Sequence, residues 1–199
     1  MWKISHVAKL VPEALLVSAS IVWAAPSGDT WAIDPRESSL TVHVFKSGLL
    51  SAFGDNHDVR AVVASGSVVG GEKPSVELAI DARQMQVLDP DLAPAKRAEV
   101  QKRMMGPEVL DVARFPEIRF ESTAVRPLSE GRWQVEGLLA LHGRRVPLSF
   151  DVTNVNQRLR GSATLSQRAF GIEPIKAGGG TINVKDEVKI DFDIVTASP

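Results

Sequence analysis

The sequence predicts an all-β protein, an antiparallel β-barrel of about eight strands with one short helix. Three observations indicate this class: apolar and polar residues alternate over short runs, the runs recur at short spacing, and turn-forming residues separate them. Alternation places one face of each strand in the core and the other in water. Such strands hide their edges by stacking as a sandwich or by closing into a barrel, and we expect a barrel.

The clearest strand covers residues 184–194, where Val188 and Ile190 share one face while Lys189 and Asp191 share the other. The same alternation predicts strands at 40–46, 59–69, 75–83, 117–125, 132–141, 146–152 and 159–166. Gly70-Gly71 and His142-Gly143 are typical of tight turns between such strands. Sequential antiparallel pairing therefore follows.

One segment, residues 91–105, has a helical composition. Pro94 stands near its start, helix-forming residues follow at 95–99, and Gly106-Pro107 ends it. We expect this helix to plug one end of the barrel, to lie over it as a lid, or to cover ordinary core.

Composition narrows the classes of function. The 199 residues carry 23 basic and 24 acidic side chains without long runs of one sign, so no electrostatic footprint for nucleic acid is present. The chain has no cysteine, which excludes a thiol nucleophile, a cysteine zinc site, a disulfide framework and an acylated cysteine anchor. No linker or repeat divides the chain, so we expect a single domain.

The N-terminus has the order of a secretory signal peptide. Lys3 and Lys9 precede the largely apolar residues 14–23, and small residues flank position 23. Pro12 and Glu13 shorten the apolar stretch, and an amphipathic helix is the alternative. We predict a signal peptide at 1–24, an exported mature domain at 25–199, and cleavage after Ala24.

Few residues point to chemistry. The sequence has no nucleophile elbow, P-loop, dinucleotide fingerprint or H-E-x-x-H motif. The connection at 53–58 holds His57 between carboxylates, and His43 precedes it on a strand. With His142, these residues are candidates for a metal- or haem-linked redox role, and His57 with Asp55 or Asp58 for a hydrolase or isomerase. Because Asp, Asn and Gly are ordinary turn residues, we predict no catalytic residue and no resident metal, with His43 and His57 as the metal candidates.

Five segments in order resemble the YceI-like family of lipid-binding proteins. These are Trp31-Ala32-Ile33-Asp34, Phe115-Pro116-Glu117-Ile118-Arg119-Phe120 within 114–122, the strand and turn at 137–143, Arg168-Ala169-Phe170-Gly171-Ile172, and Asp186-Glu187-Val188-Lys189-Ile190. The likeness covers about residues 30–196. The sequence departs from the family's usual pattern at Ala140, at Arg144-Arg145 and in the connection at 55–58.

The resemblance implies an extended, lipocalin-like, eight-stranded barrel in the bacterial periplasm. Its implied ligand is a polyisoprenoid, an isoprenoid quinone or a fatty-acid amide, and an implied context is the stress response. The expected partner is thus an amphiphilic lipid held without a cofactor. A homodimer and a redox partner at the membrane stay open.

We assign candidate ligand-binding residues from the apolar strand faces. Fourteen side chains are predicted to face the interior: Val42, Val44, Val76, Leu78, Ile80, Ile118, Phe120, Trp133, Val135, Leu139, Leu141, Val188, Ile190 and Phe192. Five more are predicted at the mouth or against a head group: His57, Asp58, Met104, Met105 and Arg168.

Overall fold

The computed structural model describes residues 28–47, 56–156, 158–177 and 182–197. The described residues form one α-helix, α1 (Pro94–Met105), two short 3₁₀ helices (Ala82–Gln84 and Arg168–Phe170) and twelve strands. The strands are β1 (Thr30–Ala32), β2 (Ser39–Ser47), β3 (His57–Ala61), β4 (Val63–Val69), β5 (Ser75–Asp81), β6 (Gln86–Val87), β7 (Glu117–Ser129), β8 (Arg132–Leu141), β9 (Arg144–Val155), β10 (Arg158–Ser166), β11 (Lys176–Ala177) and β12 (Ile182–Val195). The predicted signal peptide lies outside the described residues.

All strands belong to one strongly curled antiparallel sheet. Its order is β1-β4-β5-β7-β8-β9-β10-β12-β2-β3-β6, and β11 pairs with β12 beside this path. The segment after β1 meets the end of β12 through an isolated bridge between Ile33 and Thr196. The Asp34 amide also donates to the Val195 carbonyl at 2.8 Å. The sheet therefore curls back on itself, and the predicted all-β antiparallel class with one short helix is confirmed.

The strands are divided more finely than the eight predicted runs. The run at 59–69 separates at Val62, because β3 pairs with β2 while β4 pairs with β5. Strands β1, β6 and β11 are two or three residues long, which is too short to show an alternating pattern. The remaining seven runs each correspond to one long strand.

The helix begins and ends close to the prediction. Pro94 occupies its first turn, where the missing amide hydrogen has no partner to lose. Gln101 fixes the helix to the sheet edge: its amide nitrogen donates to the Met85 carbonyl, and its amide oxygen accepts from the Val87 amide, both at 2.8 Å. No helix in the described part of the chain is long and apolar enough to cross a bilayer.

A row of aromatic rings crosses the concave side of the sheet. The Phe150 ring lies 5.3 Å from that of Phe120 and 5.4 Å from that of Phe192, in tilted and edge-on arrangements. Two inward-facing glycines make room for these rings. A Cβ atom at Gly137 would lie 2.5 Å from the Phe120 ring, and one at Gly161 would lie 2.5 Å from the Phe192 ring.

Candidate functional site

The concave face of the sheet encloses a cavity of about 730 Å³, within the usual range of small-molecule sites. Alternation along the strands places every second side chain on this face. All fourteen side chains predicted to face the interior line the cavity, from Val42 on β2 to Phe192 on β12. That they contact a ligand stays a prediction.

The cavity has further lining residues that sequence reasoning did not name. Strands β9 and β10 contribute Leu148, Phe150, Val152, Leu159, Ala163 and Leu165. Both strands were predicted, so the same alternation would have found these positions. Val109, Leu110 and Ile172 also line the cavity, but they lie in irregular segments, where no period marks which side chains turn inward.

One end of the cavity opens to solvent at three hairpins. Four of its lining residues are exposed, namely Gly71, Glu72, Pro127 and Asn154, and we call this set the mouth. Gly71 and Glu72 follow β4, Pro127 lies near the end of β7, and Asn154 near the end of β9. The backbone amide of Asn154 donates to the Gly131 carbonyl at 2.8 Å. This hydrogen bond joins the β7–β8 hairpin to the end of β9.

Polar side chains are few on the lining and unevenly placed. Among the described lining residues they are Glu72, Ser75, Asn154 and Gln167, and the rest are apolar residues or glycine. Three of the four lie at or beside the mouth. Gln167 is at the opposite end, where its side-chain nitrogen donates to the Lys185 carbonyl at 2.8 Å. Glu72 is the one charged side chain among the described lining residues.

The opposite end is covered by residues 166–172, which we call the plug. Phe170 is only 1% exposed and Ile172 only 3%. His142 lies at positive φ in the turn between β8 and β9 and contacts the plug. Its Nδ1 lies 3.2 Å from the Phe170 carbonyl oxygen, and its ring packs 4.9 Å from that of Phe115. His142, a candidate for a redox role in the sequence, therefore contacts the plug and holds it in position.

Asp186 fastens the plug from β12. Its carboxylate accepts from the Ser166 hydroxyl at 2.6 Å and from the Arg168 amide at 2.9 Å. The Ser166 hydrogen bond and then the Arg168 amide hold the pKa of Asp186 below its usual value. The plug is therefore bound from two sides, by the turn between β8 and β9 and by β12.

The five residues predicted at the mouth do not gather there. Met104 lines the cavity at the plug end, whereas His57, Asp58, Met105 and Arg168 are not among its lining residues. The reason is the end of the sheet that each segment reaches. Helix α1, the start of β3 and the plug, which carry these five residues, lie at one end of the cavity, and the three open hairpins lie at the other.

His43 and His57 are held by aspartates outside the cavity lining. His43 faces outward, because its neighbours Val42 and Val44 line the cavity, and its two ring nitrogens lie 2.7 Å from Asp58 and 3.0 Å from Asp191. His57 Nδ1 lies 2.6 Å from Asp89.

The Asp89 carboxylate also accepts from the Asp58 backbone amide at 2.9 Å. The side chains of His57 and Asp58 nevertheless bind different groups, Asp89 and His43, so they do not converge on one pocket as the hydrolase alternative requires. Asp55 lies outside the described residues. Within the described ranges, no group of three or more His, Asp or Glu residues is placed to hold a metal ion.

Comparison with known proteins identifies relatives by sequence. The YceI-like domain family matches residues 31–196. A UPF0312 protein of Pseudomonas syringae pv. tomato (strain ATCC BAA-871 / DC3000) is 34% identical over 106 residues, covering 48% of this chain and 53% of that protein. A second, from Pseudomonas putida (strain W619), is 30% identical over 105 residues, covering 48% and 55%. The chain spans about half the length of the curated relatives it matches.

Solved structures share the fold at low sequence identity. Burkholderia cenocepacia BcnA superposes with a TM-score of 0.59 at 16% identity, covering 83% of this chain and 99% of that one. A polyisoprenoid binding domain from Saccharophagus degradans, implicated in plant cell wall breakdown, gives a TM-score of 0.52 at 15% identity, covering 85% and 98%.

Proposed function

We propose that this chain, which belongs to the YceI-like domain family, holds one amphiphilic lipid of isoprenoid type in its cavity. The observation that carries the proposal is the lining: nearly all of the side chains around about 730 Å³ are apolar. The fold neighbour from Saccharophagus degradans, described as a polyisoprenoid binding domain, supports the same ligand class.

Apolar burial alone supplies enough free energy for such binding. Each buried methylene contributes about 0.8 kcal/mol, so a chain of roughly 20 carbons gives about 16 kcal/mol before the costs of ordering and association. No catalytic group is needed for this work. We propose binding and carriage of the lipid. We also propose that the protein is periplasmic, because its N-terminal pattern predicts a signal peptide.

Native mass spectrometry of the protein purified from a bacterial host tests the proposal. We expect a mass excess that organic extraction removes and that added polyprenol or isoprenoid quinone restores. A mass equal to the polypeptide alone, with no uptake of either lipid, would contradict it.

A paired substitution on β9 locates the ligand. Leu148 lines the cavity, whereas its neighbour Ser149 is exposed on the outer face. We expect Leu148→Trp to fill the cavity and reduce lipid uptake at least tenfold, and Ser149→Trp to leave uptake unchanged. Equal uptake by the two variants would place the ligand elsewhere.

A further inference from the structure

We propose that the mouth selects lipids whose head group donates a hydrogen bond and carries no negative charge, and that Glu72 sets this preference. The inference rests on the proposed lipid binding and adds the chemical class of the head group.

The distribution of polar groups orients the ligand. Glu72, Ser75 and Asn154 lie at or beside the mouth, and two of them, Glu72 and Asn154, are exposed. The plug end presents the buried apolar side chains of Leu110 and Ile172 to the cavity. An amphiphile therefore places its tail toward the plug and its head group at the mouth, since a polar head group buried among apolar side chains loses its hydrogen bonds with water.

The carboxylate of Glu72 discriminates by charge. An ionised carboxylate accepts hydrogen bonds and donates none, so it receives the hydrogen of a hydroxyl or amide and repels a phosphate or a second carboxylate. A lipid alcohol, quinol or amide satisfies Glu72, whereas a prenyl phosphate places like charges side by side.

Arginines near the mouth pair with carboxylates, as Arg126 does with Glu136. Arg132 pairs with Asp151 at 3.2 Å and Arg158 with Asp193 at 2.9 Å. Burial acts to raise the pKa of Asp193, but the hydrogen bonds from Arg158 and Arg160 together lower it below its usual value. Lys73 follows Glu72 in the turn but is not among the lining residues.

Competition measured by native mass spectrometry tests the inference. The full chain receives equal amounts of the C20 alcohol geranylgeraniol and its monophosphate, then of the alcohol and its methyl ether, which cannot donate a hydrogen bond. We expect the wild type to prefer the alcohol at least about tenfold over the phosphate and several-fold over the ether. Salt at 0.5 M should narrow the first preference, because it screens charge.

Three variants assign the effect. Glu72→Gln should lower the preference over the phosphate, and Glu72→Lys should abolish or reverse it. Glu99→Lys makes the same change of charge on the exposed surface of α1 and should behave as the wild type. Thermal melting verifies that each variant is folded.

The outcomes separate the two proposals. A phosphate bound as tightly as the alcohol by the wild type overturns the charge preference and leaves lipid binding intact. Equal binding of alcohol and ether overturns the hydrogen-bond requirement. An unchanged preference in Glu72→Lys overturns the role of Glu72, and failure to bind any of the three lipids overturns the proposed function itself.

Discussion

The two ends of the cavity are built from the same long strands, but one end is covered by the plug and the other is open at the mouth. At the plug end, Phe170 is 1% exposed, and contacts from His142 and Asp186 hold the segment in place. At the mouth, no segment among the described residues covers the three hairpins, and Leu128 is 50% exposed beside the lining residue Pro127. The difference predicts that the plug end contributes more to the stability of the fold than the mouth does.

The largest expected effect is at the buried ring of the plug. Phe170→Ala removes a fully buried aromatic side chain and should lower the free energy of unfolding by about 3–5 kcal/mol. Leu128→Ala at the mouth should change it by less than about 0.5 kcal/mol, because the side chain is half exposed. Urea denaturation measures both values. Similar losses in the two variants would contradict the division between the ends.

A smaller effect is expected at the turn that holds the plug. His142→Ala removes the contact with the Phe170 carbonyl and places alanine at φ 51°, so we expect a loss of about 1–3 kcal/mol. His142→Asn keeps a residue that tolerates this backbone conformation and should recover part of the loss. Urea denaturation of both variants separates the two contributions. If His142→Asn is as unstable as His142→Ala, backbone strain is not part of the effect.

The smallest effect is the pH dependence of the plug anchor. Because the pKa of Asp186 is lowered in the folded protein, its contribution to stability is present above its unfolded pKa of about 3.9 and is lost as the pH falls through the folded value. The difference in unfolding free energy between the wild type and Asp186→Asn should therefore be larger at pH 7 than at pH 3.

Ser166→Ala provides the matched control for Asp186, because it removes the main cause of the lowered pKa and leaves the carboxylate in place. It should reduce the pH dependence of stability without changing net charge. An unchanged pH dependence in both variants would show that this anchor does not contribute.

Strand periodicity predicted the fold class and the inward faces well. The fourteen predicted interior side chains all line the cavity. Alternation determines which residues share a face of the sheet, and the apolar face of the curled sheet is the concave one. Residues in turns and irregular segments escaped the prediction. Glu72 lies in a turn and Ile172 in the plug, and their direction depends on contacts with strands that are distant in the sequence.

The predicted group at the mouth failed to gather for the same reason. His57, Asp58 and Arg168 were chosen for their residue types, yet their positions depend on which end of the sheet each segment reaches. That end follows from the complete strand order, in which β12 brings Asp186 beside Ser166 and Asp191 beside His43. No local pattern carries this information.

Gly137 and Gly161, which lie against the aromatic row, affect the width of the cavity. An added Cβ atom at Gly137 would clash with the Glu121 carbonyl oxygen and lie 2.5 Å from the Phe120 ring. One at Gly161 would clash with the Asp151 carbonyl oxygen and lie 2.5 Å from the Phe192 ring. In both cases the ring and the strand backbone would have to shift. Two positions without a side chain therefore give the rings of Phe120 and Phe192 the space that they occupy against the sheet. Because both rings line the cavity, its free width depends on that space.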